Sequence, residues 1–201
     1  MITDMNVESR PYRSPVRQAQ AEATRVQIME AVARRMEAGD EELSFASVAS
    51  AAGIQERTVY RHFANKDALL GGFWRWVNER YPGGGTPRTE EELKRGPVEV
   101  FRDFDKRAAL VRAMLSTPQG REVRLRDLEA RQAAYREALS GVTEGMDDPA
   151  ERRLCAVVQL LYSASAWQSM RDYWGLEGDE AGQACAWALT TLIESLKEDK
   201  K

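Results

Sequence analysis

One histidine, His62, stands in 201 residues. That scarcity excludes metal centres built from several histidines, the HExxH zinc proteases among them. Cysteine is nearly as rare. Cys155 and Cys185 lie 30 positions apart, which gives neither a disulfide framework nor a CxxC metal clamp, and two small buried residues in a reducing compartment is the simpler reading. No apolar run approaches the ~20 residues of a membrane span. The opening MITDMNVESRPYRSPVRQ lacks the apolar core of a signal peptide, so a cytoplasmic location without a membrane partner is expected. GxSxG and Walker loops are also missing: Gly83-Gly84-Gly85 runs into Thr86-Pro87 and reads as a hinge. The acidic clusters Glu90-Glu91-Glu92 and Asp147-Asp148 fall at helix starts, where the macrodipole favours them without catalysis. No catalytic residue, metal site or cofactor is marked, and the chain is not expected to be an enzyme.

Positive charge is not in excess either. Lys and Arg number 29 against 32 Asp and Glu, a net charge of −3, so no overall basic field draws the protein to nucleic acid. The positive residues gather at the front. Arg10, Arg13, Arg17, Arg25, Arg34 and Arg35 face only Glu22 and Glu30 between positions 10 and 35, and Arg57, Arg61 and Lys66 face only Glu56 between 43 and 66. Hydrophobic residues at 43% and charged residues at 30% are ordinary for a globular chain able to bury a core.

Helical punctuation recurs throughout, and alternating strand patterns do not. A first helix is expected from Gln18 to Ala38, with Ile28, Met29, Val32 and Met36 on one stripe and Gly39 as its stop. Ser44 caps a short second helix bearing Phe45, Val48 and Ala49 and ending at Ala52-Gly53. A third runs through His62 with Val59 and Phe63 inward, and Asn65 caps a fourth from Lys66 to Arg80. Tyr81-Pro-Gly-Gly-Gly-Thr-Pro87 then breaks any helix. Beyond it Thr89 with Glu92, Thr117-Pro118 and Asp148-Pro149 with Glu151 open further helices. With stops at Gly141 and Gly175, this spacing predicts helices of roughly 22 to 26 residues, about five in the rear part and about nine in all. The fold class is all-α. Residues 1–17 form a flexible arm, 18–81 a helix-turn-helix domain with its connecting helix, 82–88 a linker, and 89–201 a helical ligand-binding and dimerisation domain.

Two short helices joined at Gly53 and followed by a longer one fit a helix-turn-helix, whose second helix enters the major groove. Taken alone His62 reads as a packed histidine; its setting says more. FASVASAAGIQERTVYRHFANKDALL, residues 45 to 70, resembles the DNA-binding segment of the tetracycline-repressor (TetR) family of bacterial transcriptional regulators. The likeness lies in Phe-x-x-Val-Ala, in Ala-Gly-Ile at the turn, in Thr-Val-Tyr-x-His-Phe on the recognition helix and in Asn-Lys-Asp-x-Leu opening the next. It implies phosphate contacts by Tyr60, His62 and Lys66 and base reading by Thr58 and Arg61. Spacing agrees: with Val59 and Phe63 buried, Arg57, Thr58, Arg61 and His62 turn toward the groove. An arginine can pair bidentately with guanine, and threonine offers a hydroxyl and a methyl to base edges. Ser44, Gln55 and Arg17 complete the expected DNA-facing set. Gln55 departs from the family, which more often has Ser or Thr as a cap there, and Glu56 and Arg57 replace small residues. Arg10, Arg13 and Arg17 read equally as a disordered tail and as a minor-groove arm.

Aromatic and sulfur side chains crowd the rear part and mostly serve as core. Phe104, Met114, Tyr135, Tyr162 and Trp167 are the candidate walls of a ligand cavity, with Gln159 and Ser163 as its polar contacts. On the last helix Ala181, Ala184, Ala188 and Thr191 make a small-residue stripe suited to close helix approach, within the chain or across a dimer. The family resemblance implies a two-fold homodimer built from the last two helices. The fourth helix links reader to sensor, and Trp74 or Trp76 is expected to pack against the rear part. These readings add up to a dimeric repressor released from a palindromic double-stranded operator by a small-molecule effector. The alternative is a helical protein-interaction module that keeps the architecture without binding DNA.

Overall fold

The computed structural model of the chain describes residues 15–39, 43–80 and 86–198. Most of the expected arm, with Arg10 and Arg13, lies outside the described residues, as do linker residues 81–85 and the final three positions. Eleven helices and no strand occur among the described residues. They are α1 (Pro15–Glu37), α2 (Phe45–Ala52), α3 (Glu56–His62), α4 (Lys66–Arg80), α5 (Glu90–Asp105), α6 (Ala108–Ser116), α7 (Pro118–Arg124), α8 (Leu128–Thr143), α9 (Asp148–Leu161), α10 (Ala164–Trp174) and α11 (Gly178–Glu198).

Among the described residues the rear part holds seven helices where about five were expected, because three breaks fall where no stop was expected. The first cut falls at Lys106-Arg107, where neither glycine nor proline signals it. Its cause is tertiary: the Asp105 carboxylate at the end of α5 accepts hydrogen bonds from the Trp167 indole (2.9 Å), the Gly178 backbone N–H (2.6 Å) and Arg171. One carboxylate thus fastens α5 to α10 and α11. The second cut holds Asp127 in the left-handed region (φ 54°). There Arg131 donates to the carbonyls of Arg124 and Arg126, and the Trp74 indole donates to Asp127. At the third, Ser163 caps α10 by accepting from the Ala166 N–H while its hydroxyl donates to the Leu160 carbonyl. Gly141, expected as a stop, lies inside α8, and the cap of α9 is Asp147, one residue earlier than expected.

Two apolar cores form. The front core joins Ile28, Met29, Val32 and Met36 of α1 to Phe45, Val48, Val59, Phe63, Leu69, Leu70 and Phe73. It continues past the linker, taking in Leu110, Ala113 and Met114 of α6 and Val123 of α7. Met114 is therefore front-core packing, apart from the other expected cavity residues. The rear core gathers Leu93, Phe101, Tyr135, Leu139, Tyr162, Trp167, Cys185, Leu189 and Ile193.

Helix α11 lies unusually close along α5, and glycines permit it. A Cβ at Gly182 would stand 2.6 Å from the Val98 Cα, and one at Gly178 2.5 Å from the Phe101 carbonyl oxygen. Ala181, expected on the dimer stripe, is completely buried inside this chain, whereas Ala184 and Ala188 are half-buried and Thr191 is exposed. Lys94 with Glu90 (2.6 Å) and with Glu194, Lys197 with Glu90 (2.7 Å), and Arg102 with Asp179 (2.7 Å) rim the seam. Gly182→Ala is expected to cost about 1–3 kcal/mol through backbone overpacking. Gly141→Ala, whose Cβ would meet nothing within 4 Å, should instead add about 0.5–1 kcal/mol by helix propensity. Urea midpoints read both; equal midpoints for the two variants would contradict the tight α5–α11 approach.

Candidate nucleic-acid interface

The α2–α3 unit is built by local chemistry. Ser44 and Ser47 exchange side-chain and backbone hydrogen bonds at 3.0 and 3.1 Å, a reciprocal box that starts α2. Gly53 ends it at φ 66°, a left-handed position that glycine occupies without strain. The last carbonyls of α2 would be orphaned. Two side chains of α1 meet them: Gln27 Nε2 donates to the Ala52 oxygen at 2.6 Å and Arg34 to the Ala51 oxygen at 2.9 Å. Sequence reasoning missed both, because at ordinary polar positions of a long helix nothing distinguishes a capping side chain from a solvated one.

Helix α3 is anchored by Val59 and Phe63, both buried. Gln55 occupies its N-cap position without a side-chain cap bond. Tyr60 packs its ring on Phe45 with centroids 4.4 Å apart and remains 55% exposed. Gln55, Glu56, Arg57, Arg61 and Lys66 are exposed, while Thr58 and His62 are half-buried. No ion pair engages Arg57, Arg61 or Lys66 among the described residues. Asn65 caps α4, accepting from the Ala68 N–H at 2.8 Å, and sets Lys66 at a helix start where backbone amides also favour an anion. Arg17 is exposed in the first turn of α1, and Ser44 is exposed at the cap of α2.

Arg25, counted in the sequence only among the basic residues at the front, is a further cation beside this face. Its guanidinium lies 4.9 Å from the Phe63 ring centroid and close to Gly72, where an added Cβ would stand 2.5 Å from Phe63. Next to it, His62 has its Nε2 enclosed without a hydrogen-bond partner. Burial, then the neighbouring cations Arg61 and Arg25, hold its pKa below the usual imidazole range, with Glu22 opposing. The imidazole is thus kept neutral at neutral pH. Because the unfolded chain binds this proton more readily, stability should rise with pH through the window below about 6.5 and level off above it. Urea titrations of the wild type and His62→Gln across pH 5 to 8 should show a shallower rise in the variant; parallel curves would refute the shift.

The expected rear-cavity residues divide. Phe104 and Trp167 meet edge to face at 5.8 Å, and Tyr135 and Tyr162 at 6.3 Å. The Tyr162 hydroxyl sits against Gly96, and burial raises its pKa to about 12; burial also pushes the Tyr135 phenol upward. Met114 belongs to the other core, Ser163 caps α10 and Gln159 is half-buried on α9. Trp74 contacts the rear part as expected, through its 3.0 Å bond to Asp127. Among the described residues no cluster of His, Cys, Asp and Glu could hold a metal ion, and no helix is long and apolar enough to cross a membrane.

The helix-turn-helix segment is similar to a known family. Residues 29–72, which run from the second half of α1 into α4, match the family model of bacterial regulatory proteins of the tetR family. Solved structures of similar fold cover most of the chain. One is NalD, the secondary repressor of the MexAB-OprM multidrug efflux pump in Pseudomonas aeruginosa, at TM-score 0.58 and 21% identity over 86% of this chain and 96% of that one. A tetR-family transcriptional regulator from Streptomyces coelicolor follows at 0.56 and 20%, over 89% and 85%. A TetR family transcription regulator from Marinobacter aquaeolei VT8 follows at 0.52 and 21%, over 86% and 97%. No curated protein matches the chain.

Proposed function

We propose that this chain is a cytoplasmic, sequence-specific DNA-binding transcriptional repressor that acts as a dimer on a palindromic operator and is released by a small molecule. The observation that carries it is the exposed side of α3 and the start of α4. Arg57 and Arg61 on α3 and Lys66 at the start of α4 are exposed and form no ion pair among the described residues, inside the segment that matches the tetR-family model. Set in a chain of net charge −3, this local cationic face suits a local anionic partner. In this reading Arg57, Thr58 and Arg61 address base edges, with Gln55 at the helix start. Tyr60, His62, Lys66, Ser44 and Arg17 meet phosphates. His62 serves as a neutral donor, since its surroundings disfavour the imidazolium.

The dimer is assigned to α11. By helical spacing Trp187, 72% exposed, stands among Ala184, Ala188 and Thr191, a large aromatic ringed by small residues, which is the composition of an interface anchor. Val157 and Leu160 of α9 add exposed apolar surface. Repression is supported by the likeness of fold to NalD, itself a repressor. An effector among the Phe104–Trp167 and Tyr135–Tyr162 pairs would need only about 1–3 kcal/mol of coupling to shift DNA occupancy.

Selection from random duplexes should return one palindromic motif. Lys66→Ala is expected to keep that motif and to reduce the log–log salt slope of binding by about 1, whereas Arg61→Ala should lose about 1–3 kcal/mol of discrimination at one base pair. A wild type that enriches no sequence at low salt would overturn the reading. Trp187→Glu is expected to sediment as a monomer with its helical content unchanged; a persisting dimer would remove α11 from the interface.

A further inference from the structure

An open cleft of about 420 Å³, lined by Gly71, Trp74, Arg75, Arg126 and Asp127, lies between α4 and the α7–α8 turn. It is open to solvent, lined more by polar than by apolar surface, and separate from the rear aromatic pairs. Gly71 forms its open floor. A Cβ placed there would meet Arg126 Nη1 at 3.3 Å and Arg75 Nη1 at 4.0 Å, so two guanidinium groups from different parts of the fold converge over one bare backbone position. Asp67 and Glu122 already offset Arg126, so the charge left open to an anion here is that of Arg75.

The two cations are differently engaged. Arg126 directs Nη2 to Asp67 (2.6 Å) and Glu122 (3.3 Å), which leaves Nη1 over Gly71 and Nε without a partner. Arg75 is exposed and forms no ion pair among the described residues. Trp74 supplies a flat apolar surface, fixed in orientation by its bond to Asp127 and by Arg131, whose guanidinium lies 5.3 Å from the ring centroid. Asp127 also limits the charge the cleft accepts. Asp127 lines the same space, so a dianion would meet more repulsion there than a single carboxylate held on the arginine side.

We propose that this cleft is a binding site for a small aromatic monocarboxylate, its carboxylate bridging Arg75 and Arg126 and its ring against Trp74. A guanidinium pair matches the planar, bidentate geometry of a carboxylate, and an indole matches a ring. The site touches α4 through Gly71, Trp74 and Arg75 and the rear part through Arg126 and Asp127. An occupant therefore bears on the junction between the two.

Benzoate titrated into the free, full-length protein is the test, read at the Trp74 indole N–H resonance. Trp74→Phe assigns that signal among the five tryptophans. Benzamide keeps the ring without the charge, and inorganic phosphate keeps the charge without the ring. Benzoate is expected to shift the Trp74 signal saturably, and the other two at least about tenfold more weakly, a difference of one charge-assisted contact. Arg75→Gln should weaken benzoate about tenfold, Gly71→Leu should abolish binding by filling the floor, and Arg153→Gln, on the distant α9, should change nothing. Equal responses to benzoate and phosphate would overturn the proposal, as would a benzoate response indifferent to Arg75→Gln. DNA is absent throughout, so the outcome is independent of whether α3 reads a duplex.

Discussion

A helix of seven residues has no independent stability in water, so α3 persists only because Val59 and Phe63 are held in a core that α3 does not itself supply. That core is furnished by α1, α2 and α4 from the front and by α6 and α7 from behind. Everything exposed on α3 inherits its position from those two side chains. Gln27 and Arg34 add to this by closing the end of α2 from α1, which fixes where the turn at Gly53 delivers the next helix. Exposed arginines on a free two-turn peptide would sample many orientations. Here they project from one.

The same core makes reader and rear bundle a mechanical unit. Leu110, Ala113 and Met114 pack with α1, and Val123 completes the cluster. On the opposite side of α4, Arg126 reaches Asp67 one residue beyond Lys66, and Asp127 accepts from Trp74. A displacement of α6, α7 or the α7–α8 turn is therefore felt at the start of α4 through packed side chains and two polar contacts. At the far end Asp105 ties α5, α10 and α11, so the rear bundle has its own rigid frame against which such a displacement can act.

Much of the front was legible in sequence because its signals are local. Ser44, Asn65, Gly39 and Gly53 each act within a few residues, and the spacing of Val59 and Phe63 sets the exposed face of α3 without reference to the rest. The rear was less legible because its breaks are tertiary. Lys106-Arg107 and Tyr162-Ser163 contain no helix breaker, and the first is fixed by Asp105 reaching helices more than sixty positions away. Met114 and Ser163 were placed by residue type in a ligand cavity, whereas packing gave one to the front core and the other to a cap. Glycines at 178 and 182 were likewise silent, since a close approach of two helices leaves no trace on only one of them. The place of Arg25 beside His62 was hidden for a related reason: it depends on α1 crossing the end of α3.

Amide hydrogen exchange of the full chain, with and without a selected duplex, tests most directly that α3 contacts DNA from a core shared with the rear bundle. The account predicts slowed exchange across residues 44–70 on adding duplex, with a smaller slowing in α6 and α7 and little change in α9 and α10. Unchanged exchange in residues 56–66, with protection appearing elsewhere, would contradict it.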